Sequence, residues 1–91
     1  MGAKAEISWT RRTEEGEKLL VYAQHVGDQW KFFHRPKRFE NWQEVEIPPL
    51  EDWLELLDAV ERRAQRRLAK PEEPVRLRKT IRELFPDVKL D

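Results

Sequence analysis

Residues 17–35 read EKLLVYAQHVGDQWKFFHR, and the fold turns on where this stretch reverses. Residues 17–26 are rich in β-formers, and residues 29–35 continue with Trp30, Phe32 and Phe33. Between them stand Gly27 and Asp28, the two-residue spacing of a tight hairpin, where glycine supplies the backbone freedom the turn demands. A reversal there sets Val26 opposite Gln29, His25 opposite Trp30, Gln24 opposite Lys31, Ala23 opposite Phe32, Tyr22 opposite Phe33 and Val21 opposite His34. Side chains alternate along a strand. One face therefore carries Leu19, Val21, Ala23, Trp30 and Phe32, with His25 near the turn. The other carries Leu20, Tyr22, Gln24, Val26, Lys31, Phe33 and Arg35. A slip of one residue would exchange the two sets.

Outward from the hairpin, AEISWTRR at 5–12 sets Ile7 and Trp9 against Glu6, Ser8 and Thr10, the period of a half-buried strand. Thr13 to Gly16 reads as a turn. Pro36 closes the third strand, because proline has no N–H for the ladder. WQEVEI at 42–47 alternates again, so Ile7, Trp9, Val45 and Ile47 are expected to join the apolar face. Together these segments predict a four-stranded antiparallel meander over residues 5–47.

Pro48-Pro49 ends the sheet. From Leu50, LEDWLELLDAVERRAQRRL repeats Leu50, Trp53, Leu57, Val60, Ala64 and Leu68 at helical steps. Acids fill the first turn and arginines the last, matching the helix dipole. This predicts a long amphipathic helix over 49–69, packed across the apolar face of the sheet. Pro71 and Pro74 interrupt it, and Leu77, Ile81, Leu84 and Phe85 predict a shorter C-terminal helix over 74–86. The expected class is α+β, with residues 1–91 forming a single domain.

Charged residues make up 40% of the chain, so four Trp, four Phe and one Tyr must supply most of the buried bulk. There is no cysteine, hence neither a disulfide nor a thiolate metal site. No apolar run is long enough to span a bilayer, and MGAKAEISW lacks the apolar stretch of a signal peptide. Gly2 begins a myristoylation pattern that fails at Glu6. A soluble, cytoplasmic protein is the expectation, with no membrane partner. The net charge is zero but segregated: residues 39–61 hold eight acids and no Lys or Arg, whereas residues 62–82 hold nine bases and two acids. Such a field suits a polyanion, or a second subunit meeting acid to base.

The Tyr22 face has the chemistry of a single-stranded nucleic-acid surface. Bases stack on aromatic rings at about 1–3 kcal/mol each while cations hold the phosphates. Tyr22 and Phe33, with Trp42 nearby in sequence, are the candidate stacking residues. Arg12, Lys31, Arg35, Lys37 and Arg38 are the candidate phosphate contacts. Arg62, Arg63, Arg66 and Arg67 form two adjacent stripes four residues apart, a second basic patch. The same residues have a plainer use. Aromatic side chains are ordinary on a wet sheet face, where a second subunit can also cover them. The arginines complement the helix dipole and can pair with Glu55, Asp58 and Glu61. Glu6, Glu44 and Glu46 repel phosphate and confine any polyanion to the hairpin side. Two functions stay open: a small binding protein contacting single-stranded DNA or RNA, and a protein–protein interaction or homodimerisation module.

The order β-β-β-β-α, with GDQWKFFHR before VEIPPLEDWLELLDAV, resembles one repeat of the Pur-alpha family, and more broadly the Whirly-type domains. Gly27, Trp30, Lys31 and Phe32 fit the family's glycine turn and its aromatic-and-lysine strand. Val45, Ile47, Pro48 and Trp53 fit its strand, proline turn and helix. The resemblance spans roughly residues 5–68 and implies a homodimer with single-stranded DNA or RNA as ligand. The acidic strand at 42–47 and the neutral net charge depart from that pattern.

Nothing in the sequence points to catalysis. Ser8 is the only serine and no histidine is placed beside it. His25 and His34 fall at opposite ends of their strands, without a convincing carboxylate between them, so neither a metal nor any other cofactor is expected. Glycines at positions 2, 16 and 27 form no phosphate-binding loop. A non-enzymatic protein without a small-molecule substrate is the expectation.

Overall fold

A computed structural model describes residues 6–27, 29–36 and 41–90. The chain divides into two compact units, Met1–Pro48 and Pro49–Asp91. The first is a sheet and the second a pair of helices, which is the α+β composition expected.

The sheet contains β1 (Glu6–Arg12), β2 (Lys18–Val26), β3 (Gln29–Arg35) and β4 (Gln43–Val45). Its strand order is β1-β2-β3-β4 with every neighbouring pair antiparallel, a four-stranded meander. The hairpin register is the one its turn dictates, with His25 paired to Trp30, Ala23 to Phe32, Tyr22 to Phe33 and Leu20 to Arg35. Gly27 has φ +61, a conformation that costs other L-residues roughly 1–2 kcal/mol; Asp28 lies outside the described residues.

The loop between β1 and β2 closes on itself. Thr13 N–H donates to the Glu17 carbonyl at 2.8 Å, Gly16 N–H donates to the Thr13 carbonyl at 2.9 Å, and the Thr13 hydroxyl accepts from Glu17 N–H at 3.2 Å. This reversal brings Ile7 opposite Ala23, Ser8 opposite Tyr22 and Trp9 opposite Val21. Ile7, Ala23, Phe32 and Val45 thus form one row across all four strands. Ile7, Leu19, Val21, Ala23 and Phe32 are buried on that face. Trp9 meets Phe32 edge to face at 6.2 Å, and His25 stacks on Trp30 at 4.6 Å. Trp30 is half-buried on this side, while Lys31 is exposed on the other.

One sheet expectation fails. The last strand ends at Val45, and Ile47 is 88% exposed instead of joining the apolar row. The chain bends at Glu46 and Ile47 before Pro48 and Pro49, two residues that cannot donate to a ladder.

The second unit contains α1 (Leu50–Gln65) and α2 (Glu72–Leu84). Pro49 is the extended N-cap of α1 and not its first helical residue, and its carbonyl accepts from Asp52 N–H at 3.0 Å. Trp53, Leu56, Leu57 and Val60 are buried along one stripe, and Leu77 and Ile81 are buried on α2. Asp52 is also buried, in the first turn, where the helix dipole favours an anion.

Both helices differ in extent from the 49–69 and 74–86 expected. α1 stops at Gln65 because the chain turns through Arg67 at φ +64. Leu68 N–H donates to the Arg63 carbonyl at 2.8 Å and Arg67 N–H to the Ala64 carbonyl at 3.0 Å, the paired bonds of a Schellman C-cap. Leu68 therefore leaves the apolar stripe and is 71% exposed. α2 begins two residues early because Pro74 sits in its first turn, where the backbone N–H would have no helical partner in any case. It ends at Leu84, with Phe85, at φ -132 and ψ 79, already out of the helical region before Pro86. Leu84 is exposed rather than apolar-facing. An Arg78 Nη2 to Glu61 Oε2 ion pair joins α2 to α1.

Candidate functional site

The strand register assembles the Tyr22 face row by row. Ser8, Tyr22, Phe33 and Glu44 form one row across the four strands. Glu6, Gln24 and Lys31 form the next, and Thr10, Leu20 and Arg35 the one on the other side. Along β3, Lys31, Phe33 and Arg35 therefore alternate on one face at steps of about 7 Å. Cation, ring and cation follow one another on a single strand.

Three rings meet here. Tyr22 and Phe33 are stacked, centroids 4.8 Å apart and 16° from parallel. Trp42 reaches in from just before β4 and meets Tyr22 at 4.7 Å and 87°, edge to face. The Arg35 guanidinium lies over the Trp42 ring with its carbon 4.5 Å from the centroid, within cation–π range. Tyr22, Phe33 and Arg35 are half-buried and Trp42 is exposed. Burial pushes the Tyr22 phenol above its ordinary value of 10.0, and the neighbouring Glu6 carboxylate adds to the rise.

The remaining expected residues fall in different places. Arg12, at the end of β1, is exposed and donates through Nη1 to the Gly16 carbonyl at 2.8 Å, which ties its guanidinium to the β1–β2 loop and leaves its other N–H groups facing outward from that bond. Lys37 and Arg38 lie outside the described residues. Arg62, Arg63, Arg66 and Arg67 belong to the end of α1, in the other unit. Arg62 pairs with Asp58 one turn earlier at 3.2 Å, and Arg66 N–H caps the helix.

The acids sit on the edge strands. Glu6 on β1 shares a row with Lys31, and Glu44 on β4 lies directly opposite Phe33. The β3 positions Lys31, Phe33 and Arg35 thus lie between acids carried by the strands on either edge. Beside the rings lies a cleft of about 290 Å³ lined by Glu6, Ser8, Tyr22 and Trp42. Sequence reasoning missed it. Finding it requires the β1–β2 register, which sets Ser8 beside Tyr22, and the reach of a tryptophan from outside any strand.

Among the described residues, no group of three or more His, Cys, Asp or Glu is placed to hold a metal ion. No described helix is long and apolar enough to cross a membrane. No family model, curated protein or solved structure matches the chain.

Proposed function

We propose that the protein is a small, non-enzymatic binding protein whose Tyr22 face contacts single-stranded DNA or RNA. The observation that carries this reading is the alternation of Lys31, Phe33 and Arg35 along β3, with Phe33 already braced on Tyr22. A base stacks on Phe33 or Trp42 while the flanking cations take its phosphates. Because the rings are fixed before the ligand arrives, little side-chain entropy remains to be lost on binding. The exposed arginines Arg66 and Arg67 at the end of α1 form a separate basic patch in the other unit, with phosphate-binding chemistry of its own. The resemblance to a Pur-alpha repeat implies the same ligand, and with it a homodimer.

A titration of a labelled single-stranded oligonucleotide at several salt concentrations tests this. Micromolar binding should weaken with rising salt, and removing Lys31 and Arg35 should flatten the log–log slope by roughly 0.7 for each phosphate that is no longer neutralised. Absence of binding at about 50 mM salt defeats the proposal. One observation favours a second reading: Arg35 is seated on Trp42 and the rings are packed on one another, as they would be beneath a protein partner. Concentration-dependent dimerisation in sedimentation, with no oligonucleotide binding, would select the interaction module.

A further inference from the structure

The two edges of the sheet are built differently. β4 is three residues long and runs into Pro48 and Pro49, and both shortness and proline blunt an edge against further pairing. β1 spans seven residues without a proline, and its register with β2 is unbroken from Glu6 to Arg12. Among the described residues it pairs with β2 alone. Just past its end, Thr13 N–H bonds to the Glu17 carbonyl on the β2 side. Backbone direction alternates along an antiparallel strand, so Ile7, Trp9 and Arg11 turn their N–H and C=O groups toward β2. Ser8, Thr10 and Arg12 turn theirs outward, and all three residues are exposed.

We infer that β1 is the seam between two copies of this chain, paired antiparallel about a two-fold axis at Trp9. That register overlaps the whole strand and sets Ser8 opposite the second copy's Thr10, so outward backbone groups meet outward backbone groups. A slip of one residue would set them against groups already turned to β2. Charge selects the same arrangement. Glu6 falls opposite the second copy's Arg12 at both ends of the seam, whereas a parallel, in-register pairing would set Glu6 on Glu6 and Arg12 on Arg12. Arg12 keeps Nη1 on the Gly16 carbonyl and has further N–H donors, and a carboxylate accepts at several sites, so Glu6 can act on the Tyr22 phenol and on Arg12 together. On the apolar face the half-buried Trp9 meets its own copy in a closely spaced pair, where cross-strand side chains touch. The two four-stranded sheets become one, with both Tyr22 faces on the same side. Their β3 strips then run five strand spacings, or roughly 24 Å, apart. The inference names a surface for the homodimer and does not rest on the nucleic-acid reading. Its test contains no nucleic acid, so either can fail alone.

The test follows the full chain by sedimentation over a concentration series, with amide hydrogen exchange measured by NMR at both ends of it. A one-strand seam is far smaller than a standard interface, so a dimer with a Kd on the order of 100 μM is expected. The Ser8 and Thr10 amides should exchange rapidly in dilute protein and become protected as the dimer forms. Glu6→Arg and Arg12→Glu, each placing like charges at both ends of the seam, should each weaken dimerisation about 10- to 30-fold. The double variant Glu6→Arg/Arg12→Glu should restore it. Within one strand these residues stand about 20 Å apart, so recovery cannot come from a contact inside a single chain. A monomer up to about 1 mM, a dimer that leaves the Ser8 and Thr10 amides unprotected, or a double variant as weak as the singles overturns the inference.

Discussion

Tyr22 and Phe33 face each other across β2 and β3 with their rings 4.8 Å apart and nearly parallel. Stacked aromatic pairs contribute about 0.5–1.5 kcal/mol beyond the area they bury. Here the pairing also fixes the Phe33 ring between Lys31 and Arg35 on the same strand. One local contact therefore links the hairpin register to the surface proposed to bind.

The register predicts opposite outcomes for adjacent phenylalanines. Phe32 is 2% exposed, so Phe32→Ala should cost about 3–5 kcal/mol. Phe33 is half-buried on the other face, and Phe33→Ala should cost about 1–2 kcal/mol, part of it from the missing stack on Tyr22. Urea denaturation of the two variants checks this. Similar costs for both would contradict the assignment of faces.

Tyr22 is the only tyrosine in the chain, so tyrosinate absorbance titrates it alone. Its ionisation should occur above pH 10 because burial and then Glu6 disfavour the phenolate. Glu6→Gln should bring it down. The folded-state value lies above the unfolded one, so the stability it contributes is present below about pH 10. It is lost as the pH climbs through the folded-state value. Tyr22→Phe should remove that alkaline loss. An ionisation at or below the ordinary value would place the ring outside the packed cluster.

Arg67 holds a left-handed conformation at the end of α1, φ +64, without the glycine that usually occupies this position. Arg67→Gly should stabilise the protein by about 1 kcal/mol by relieving the Cβ clash. Thermal unfolding reads the effect. A destabilised variant would mean that the Arg67 side chain makes contacts worth more than the strain.

These residues also show how far the fold is legible in the sequence. The β2–β3 register follows from one glycine turn flanked by alternating apolar positions, because a shift of one residue would expose Val21, Ala23 and Phe32 together. The apolar stripe of α1 is equally plain. The end of α1 is not, since Leu68 continues the helical period while the backbone has already turned at Arg67. Ile47 continues the strand period in the same way, past the point where two prolines end the pairing. Pro74 reads as a helix breaker, yet its cost depends on where in the helix it falls, and in the first turn it is small. On the candidate face, Tyr22, Phe33 and Arg35 can be placed by alternation alone. Trp42 can be named, but its contact with Tyr22, and the cleft it makes with Glu6, depend on how a residue outside the strands folds back. Periodicity carries no information about that.

Binding at the Tyr22 face is tested most directly by mapping a single-stranded oligonucleotide onto the protein with NMR chemical-shift perturbation, following backbone and aromatic side-chain signals. The largest changes should cluster on Tyr22, Lys31, Phe33, Arg35 and Trp42. Ala23 and Phe32, adjacent in sequence to that set but buried on the other side of the sheet, should move little. Perturbations centred elsewhere, or none at an oligonucleotide concentration of about 1 mM and low salt, would contradict the proposed surface.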